Sequence, residues 1–274
     1  MFLAHKLDIP INGYKPIAQL DNKFVITHRG LVSNVCPHQK SIISTKQGTG
    51  IRHCPYHSWS FNLDGTPLGS GRTIHYCKND TALETKAVYE WNHLLFTSPV
   101  DFDVPADFSG MILREQRVDT VNACSDNIMD LFLDVDHIPG VHTGVYDKIN
   151  LPNITDVNWK FYNNGSVQLV PSSSGIGAAW ISVYPNTMIE WQPGALFITV
   201  AKEVSNFESR VHVFKYEDMN YPQKIYSLNE EVWEQAWDQD KTQAALITEF
   251  CYTNLEESKE HFRNWIIGNR INQG

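Results

Sequence analysis

The sequence has none of the features that would take it out of the ordinary globular class. No apolar run approaches the ~20 residues needed to cross a bilayer. The opening residues, MFLAHKLDIP, lack the basic stretch and long apolar segment of an export signal, so the expected location is cytoplasmic. The five cysteines (36, 54, 77, 124 and 251) are odd in number and scattered, which does not fit a secreted disulfide framework and points to reduced thiols with chemical work to do. No Lys/Arg-rich run exists and the formal charge is −9, which excludes a general nucleic-acid binder. There is no internal repeat or low-complexity tract, and the Ser/Gly run at 171–177 is loop-sized.

What is present is core material. The 274 residues are 42% apolar and 12% aromatic, enough for one large or two ordinary domains. From 14 to 98, short apolar runs (KFVITH, LVSNV, WSFNL, KAVYEW, HLLFTS) alternate with Gly, Pro, Asn and Asp, the pattern of short strands joined by turns. From about Val121 to His137 the periodicity is helical. A β-rich stretch follows (VQLV, AAWISVY, TMIEWQ, ALFITVAKEV, RVHVFKYE), and then two helical segments near 228–250 and 254–267. The expected organisation is therefore an all-β domain over 1–98 and an α+β domain over 99–274.

The chemistry begins in CPHQKSIISTKQGTGIRHCPYHSW. Cys36 and His38 lie one residue apart, Cys54 and His57 two apart, with fifteen residues between the pairs. Tetrahedral zinc also accepts two Cys and two His, but structural zinc loops usually pair Cys with Cys. One of each from each loop suits a two-iron cluster in which both thiolates bind one iron and both imidazoles the other, as in Rieske centres. Replacing two thiolates by neutral imidazoles removes negative charge and raises the reduction potential.

With its continuation SWSFNLDG, this stretch resembles the Rieske domain of the Rieske non-haem iron oxygenases, the ring-hydroxylating and demethylating family. Two departures stand out. The family commonly has Arg-Gly where this chain has Gln39-Lys40, and Gly where it has Ser58; neither position is a ligand, though both bear on hydrogen bonds near the cluster.

A Rieske domain alone would be an electron carrier, so function turns on the rest of the chain. In DNIMDLFLDVDHIPGVH (126–142), a helix advancing about 100° per residue would put Asn127, Asp130, Asp134 and His137 on one face. His142 follows Pro139-Gly140, a place for a bend that lets both imidazoles reach one ion. Two His and one carboxylate with open positions form the facial triad of O₂-activating ferrous iron, and Asp-x₂-His-x₄-His is similar to the family's mononuclear iron motif. DNIMD alone resembles the motif of demethylase-like members, but the position three after its last Asp is Leu133, so the histidines set the frame. The resemblance makes His137 and His142 iron ligands and gives Asp134 a bridging role. In EEVWEQAWDQDKTQ, Asp240 falls where the family has its ligand Asp, with Glu231, Glu234 and Asp238 as alternatives. VYPNTMIEW resembles the Pro-Asn-bearing strand of the catalytic domain, and the aromatics Trp180, Tyr184, Trp191, Phe197 and Phe214 are pocket or core.

The resemblance further implies a helix-grip catalytic domain, an antiparallel sheet around a long C-terminal helix. It implies a [2Fe-2S] cluster, mononuclear Fe(II), O₂ as co-substrate, and electrons from NAD(P)H through a reductase or ferredoxin. The assembly it implies is a head-to-tail homotrimer in which Asp134 bridges His57 of one chain and His137 of the next. The small-molecule substrate is left open. The competing classes are an electron-transfer protein without oxygenase activity and a structural zinc protein.

Overall fold

The computed structural model describes residues 1–70, 80–149, 151, 157–172, 175–247 and 257–271. The chain divides into two units, Phe2–Val100 and Asp101–Gly274. No helix among the described residues is long and apolar enough to cross a membrane.

Among the described residues, the first unit has eleven short strands: β1 (Phe2–His5), β2 (Gly13–Pro16), β3 (Phe24–Thr27), β4 (Gly30–Ser33), β5 (Gly48–Thr49), β6 (Arg52–His53), β7 (Trp59–Phe61), β8 (Pro67–Ser70), β9 (Thr85–Lys86), β10 (Tyr89–Trp91) and β11 (Leu94–Phe96). They form three antiparallel sheets, ordered β1-β11-β10, β5-β2-β3-β4-β9 and β6-β7-β8. One buried cluster joins Val25, Val32, Ile43, Trp59, Phe61 and Leu83 to Cys36 and Cys54, so both thiols sit in the core of this unit.

The second unit is a seven-stranded antiparallel sheet in the order β12 (Met111–Val121), β18 (Glu208–Asp218), β17 (Ala195–Ser205), β16 (Thr187–Gln192), β15 (Gly175–Val183), β14 (Gly165–Ser172) and β13 (Asn158–Tyr162). Helices α1 (Ser125–Leu133), α2 (His137–Val141), α3 (Gln223–Ala244) and α4 (Glu257–Ile271) complete it. The expected mixture of an all-β domain with a large antiparallel sheet and a long late helix is the architecture found.

The segment 111–121, for which no element was expected, is a long edge strand whose exposure alternates residue by residue; Glu115, Arg117 and Asp119 lie on its half-buried face, and their charge masked the period of two. Other local expectations are corrected. The helix expected from Val121 to His137 is two helices. Asp134 is extended (φ −91, ψ 91) and α2 starts afresh at His137. Pro139 explains the break. In a continuous helix its ring would clash with the carbonyl four residues back and its missing N–H would leave that carbonyl unpaired, whereas in the first turn of α2 neither penalty arises. Pro185-Asn186 lies in the turn between β15 and β16 rather than within a strand. The late helices begin at Gln223 and Glu257, and the parts of the expected helices at 248–250 and 254–256 lie outside the described residues.

The sheet's inner face packs on α3 through a stripe at helical spacing: Tyr226, Asn229, Trp233, Ala236, Trp237, Asp240 and Ala244 are buried. Trp233 stacks on Phe197 of β17, with ring centroids 5.2 Å apart. The flank of the same helix carries acids that meet a buried cation. Lys215 of β18, its side chain 3% exposed, is 2.7 Å from Glu115, 3.0 Å from Glu230 and in contact with Glu234. Arg117 binds Glu234 at 2.5 and 2.9 Å. In Glu115 and Glu234 burial, which raises a carboxyl pKa, is outweighed by these cations, and both are held below the ordinary 4.5.

Replacing Lys215 by Met should destabilise the second unit by about 2–3 kcal/mol, less than for a fully buried pair because the carboxylates keep access to water. Because the folded pKa values are depressed, this stabilisation is complete above the unfolded value near 4.5 and is lost as pH falls through the folded ones. Urea melts at neutral pH and at progressively lower acid pH should show the wild type and Lys215→Met converging in acid.

Candidate functional site

In the first unit, two loops carry the same turn. Cys36 N–H donates to the Ser41 carbonyl at 2.8 Å and Lys40 N–H returns to the Cys36 carbonyl at 2.9 Å; Cys54 N–H donates to the Trp59 carbonyl at 2.8 Å and Ser58 N–H returns to the Cys54 carbonyl at 2.9 Å. Each turn closes with its fifth residue left-handed, Lys40 at φ 57 and Ser58 at φ 58. Those are the two positions at which the family that the motif resembles would lead one to expect glycine. Without a Cβ the left-handed region is free of strain, whereas an L side chain costs about 1–2 kcal/mol there.

The turns bring the four candidate ligands near one another. The thiols are buried, 1% and 2% exposed, while His38 and His57 are half-buried, so the imidazole end faces outward. The His38 and His57 ring centroids are 4.7 Å apart, and His38 stacks on Trp59 at 4.9 Å. Burial pushes the Cys36 thiol pKa up, and Cys54 beside it adds to the effect. Nδ1 of His57 is buried with no hydrogen-bond partner, a cost that bonding to a metal removes. Paired buried thiols and paired outward imidazoles fit a [2Fe-2S] cluster with a different ligand type on each iron.

In the second unit the break between α1 and α2 turns His137 and His142 towards α3. Nε2 of His137 and Nε2 of His142 are 3.1 Å apart. They lie 3.3 and 2.9 Å from Oδ1 of Asp240. Among the described residues this is a group of three potential ligands whose donor atoms lie within 4.8 Å of one another. Each ring's other nitrogen is occupied. Nδ1 of His142 donates to Oε1 of Gln239 at 2.8 Å, and Nδ1 of His137 faces the Asp134 carbonyl. That arrangement fixes the tautomer that leaves both Nε2 lone pairs pointing inward. Lone pairs converging on one buried point repel unless a proton or cation lies between them, so the residues fit a bound divalent metal. Burial alone would raise the Asp240 pKa; the two histidines reverse it and hold the carboxyl below its usual value.

The alternatives on α3 point elsewhere. Asp238 is exposed and pairs with Lys241 at 2.7 Å, Glu231 pairs with Lys148 at 2.9 Å, and Glu234 belongs to the Arg117 and Lys215 network. Asn127 donates to the Ile247 carbonyl at 3.2 Å. Asp130 is gripped by Arg263 of α4 at 2.8 and 2.9 Å. Asp134 accepts from the His137 backbone N–H at 3.2 Å and pairs with Lys259 of α4. Sequence reasoning missed the two α4 cations and Gln239; the only signal for Gln239 was its place next to Asp240. It also missed Glu190 of β16, which is buried beside the site and receives a 2.9 Å hydrogen bond from Trp233 Nε1. Of the aromatics, Trp180 and Phe197 lie on the sheet face that packs on α3, and Tyr184 packs on Phe262 and Trp265 of α4. Trp191 and Phe214 alternate to the opposite face.

Residues 1–73 match the Rieske [2Fe-2S] domain family. Putrescine 2-hydroxylase of Ralstonia nicotianae is 24% identical over 266 residues, 82% of this chain and 70% of that protein. The carnitine monooxygenase oxygenase subunit of Acinetobacter baumannii is 25% identical over 200 residues, 62% of this chain and 54% of that protein. The chain thus spans between about half and 70% of the length of these two relatives. In fold it is similar to a quaternary ammonium Rieske monooxygenase whose structure addresses carnitine oxidation and inter-subunit electron transfer, with a TM-score of 0.73, 17% identity, and coverage of 98% of this chain and 88% of that one.

The left-handed turns yield a test within the first unit. Lys40→Gly and Ser58→Gly should each stabilise it by up to about 1 kcal/mol, the removed strain partly offset by the greater backbone freedom of glycine when unfolded. Chemical denaturation of the intact chain, followed through the Rieske chromophore, should show later midpoints for both variants.

Proposed function

We propose, for a chain that is a Rieske oxygenase alpha-subunit-like protein, that electrons pass through a cluster held by Cys36, His38, Cys54 and His57 to a ferrous iron held by His137, His142 and Asp240, where a small organic substrate is hydroxylated or oxidatively demethylated. The observation that carries this reading is the convergence of two Nε2 atoms and one carboxylate oxygen within 4.8 Å in a chain that also has a Rieske domain. A carrier that only relayed electrons would have no use for a second, buried, tautomer-fixed ligand set.

Bound in these places, the cluster supplies one-electron transfer and the iron supplies O₂ activation. The protein does the rest. The buried thiols keep the cysteine side of the cluster from water, and the half-buried imidazoles present an edge through which a reductase or ferredoxin, drawing on NAD(P)H, delivers electrons. Gln239 and the Asp134 carbonyl orient the two ligand rings, and the burial of His142 and Asp240 excludes bulk water. In a head-to-tail homotrimer, Asp134 joins His57 of one chain to His137 of the next, and Lys259 pairs with that carboxylate and holds it in place. The related structure concerned with inter-subunit electron transfer supports this assembly. The two curated relatives act, by name, on putrescine and carnitine, which favours a nitrogenous aliphatic substrate over an arene.

Anaerobic purification should yield labile sulfide, cluster iron and additional mononuclear iron, with O₂ uptake that depends on reductant and substrate. Cys54→Ser should abolish the Rieske spectrum while sparing mononuclear iron. Asp240→Ala should deplete mononuclear iron while sparing the spectrum, and Asp238→Ala should match the wild type in both. A protein holding a single zinc and no sulfide would sink the reading.

Gln239→Leu tests the orienting role separately. Losing the partner of a metal-binding imidazole typically costs about 10–100-fold in metal affinity. Anaerobic titration with Co(II), followed by its visible absorption, should show weaker binding in Gln239→Leu and near-wild-type binding in Gln239→Glu, which still accepts from His142 Nδ1.

A further inference from the structure

Beside the three candidate ligands, the inner face of the sheet carries polar groups that the iron site does not use. Cross-strand pairing runs Gln168 to Trp180 between β14 and β15, then Trp180 to Glu190 between β15 and β16. The three side chains therefore form one row on the face that packs against α3. Gln168 is fully buried and neither its Nε2 nor its Oε1 has a hydrogen-bond partner; Trp180, 3% exposed, leaves its Nε1 without one as well. Buried polar atoms are rarely left unpaired, and several along one wall mark a place where a ligand completes the hydrogen bonding.

Glu190 is the charged member of the row. Its one hydrogen bond among the described residues is from Trp233, and it has no ion-pair partner there. The groups around it are His142, Asp240, Trp233 and the Tyr146 hydroxyl, none of them a lysine or arginine. Burial pushes the Glu190 carboxyl pKa up to about 7, the Asp240 charge adding to the rise and Trp233 opposing it. Although it lies on the inner face, 8% of the residue's surface is accessible, so a space wide enough for water adjoins it. Tyr146 stands edge-on to both neighbours, 5.9 Å from His142 and 6.1 Å from Trp180, which ties the row to the metal-ligating group.

We infer that the row Gln168, Trp180 and Glu190 is the substrate-recognition wall of the oxygenase site, and that it takes a small aliphatic primary ammonium compound with its charged nitrogen at Glu190. This rests on the oxygenase reading and names the substrate class within it. A buried carboxylate without a countercharge is costly, and an ammonium group that donates to it offsets that cost. The Trp180 ring supplies an aromatic surface for the alkyl part and for the cation. A neutral arene would leave Glu190 unpaired and is therefore disfavoured.

The test uses the iron-loaded protein under anaerobic conditions, with putrescine and its uncharged isostere 1,4-butanediol as probes in isothermal titration calorimetry. The wild type should bind putrescine at least about tenfold more tightly than the diol, the scale of one charge-assisted hydrogen bond. Glu190→Gln, which resembles the protonated acid and keeps an acceptor for Trp233, should weaken putrescine at least about tenfold and leave the diol unchanged. If putrescine binds no tighter than the diol to the wild type, or binds Glu190→Gln as well as the wild type, the proposal is overturned, whatever the folding of the variant. Iron and sulfide content separate the two readings. Cluster, mononuclear iron and reductant-dependent O₂ uptake without any preference for ammonium would overturn this inference alone. A preference for ammonium that depends on Glu190, in a chain without either metal site, would keep the wall and sink the oxygenase.

Discussion

A single buried carboxylate constrains the second unit. Asp240 occupies a position in the apolar stripe of α3 where a hydrophobic side chain would otherwise pack, and it is 7% exposed. An unpaired carboxylate there would take up a proton; two imidazoles within 3.3 Å keep its pKa depressed instead. Every neighbouring element serves that arrangement. The seven-stranded sheet gives α3 a surface to pack on, Trp233 stacks on Phe197, and the break at Asp134 delivers both histidines from one short stretch of chain.

The helix break and the charge networks act together. α2 runs from His137 to Val141 and ends at His142, whose φ of −106 and ψ of 35 leave the helical region, and the two Nε2 atoms lie 3.1 Å apart. The broken ends then need anchoring, which α4 provides: Arg263 grips Asp130 and Lys259 grips Asp134. On the other flank of α3, Lys215 and Arg117 neutralise the acids that would otherwise repel one another beside the sheet. Asp240 is thereby left as the α3 acid that faces the histidines.

The first unit solves a different problem. A cluster that exchanges electrons needs a protected side and an accessible one, and the two copies of the same turn supply both by burying Cys36 and Cys54 and leaving His38 and His57 half-exposed. Glycine is the residue best suited to close such a turn. Lys40 and Ser58 close it here at positive φ, so the loops tolerate strain that glycine would avoid.

Much was legible in the sequence because the relevant physics is local. Cys-x-His and Cys-x₂-His are spacings short enough for one turn each to present both ligands, and alternating apolar strands announce a sheet whatever surrounds them. Asp240 was named only through the family resemblance, with Asp238, Glu231 and Glu234 as alternatives; about 200° of helical rotation separates Asp238 from Asp240, but which of them faces the histidines is set by how α3 docks. The edge strand 111–121 was missed because its half-buried face carries Glu115, Arg117 and Asp119 while Ile112 and Val118 lie on the exposed face, which hides a period of two from a search for hydrophobic runs. Where Asp130 and Asp134 find their partners, which face of the sheet Trp180 and Trp191 take, and that Gln168, Trp180 and Glu190 stand in a row were decided only by the tertiary structure. Those relations join residues far apart in sequence through strand register and helix docking, and register is set by how the whole sheet buries its faces, not by any one strand's own residues.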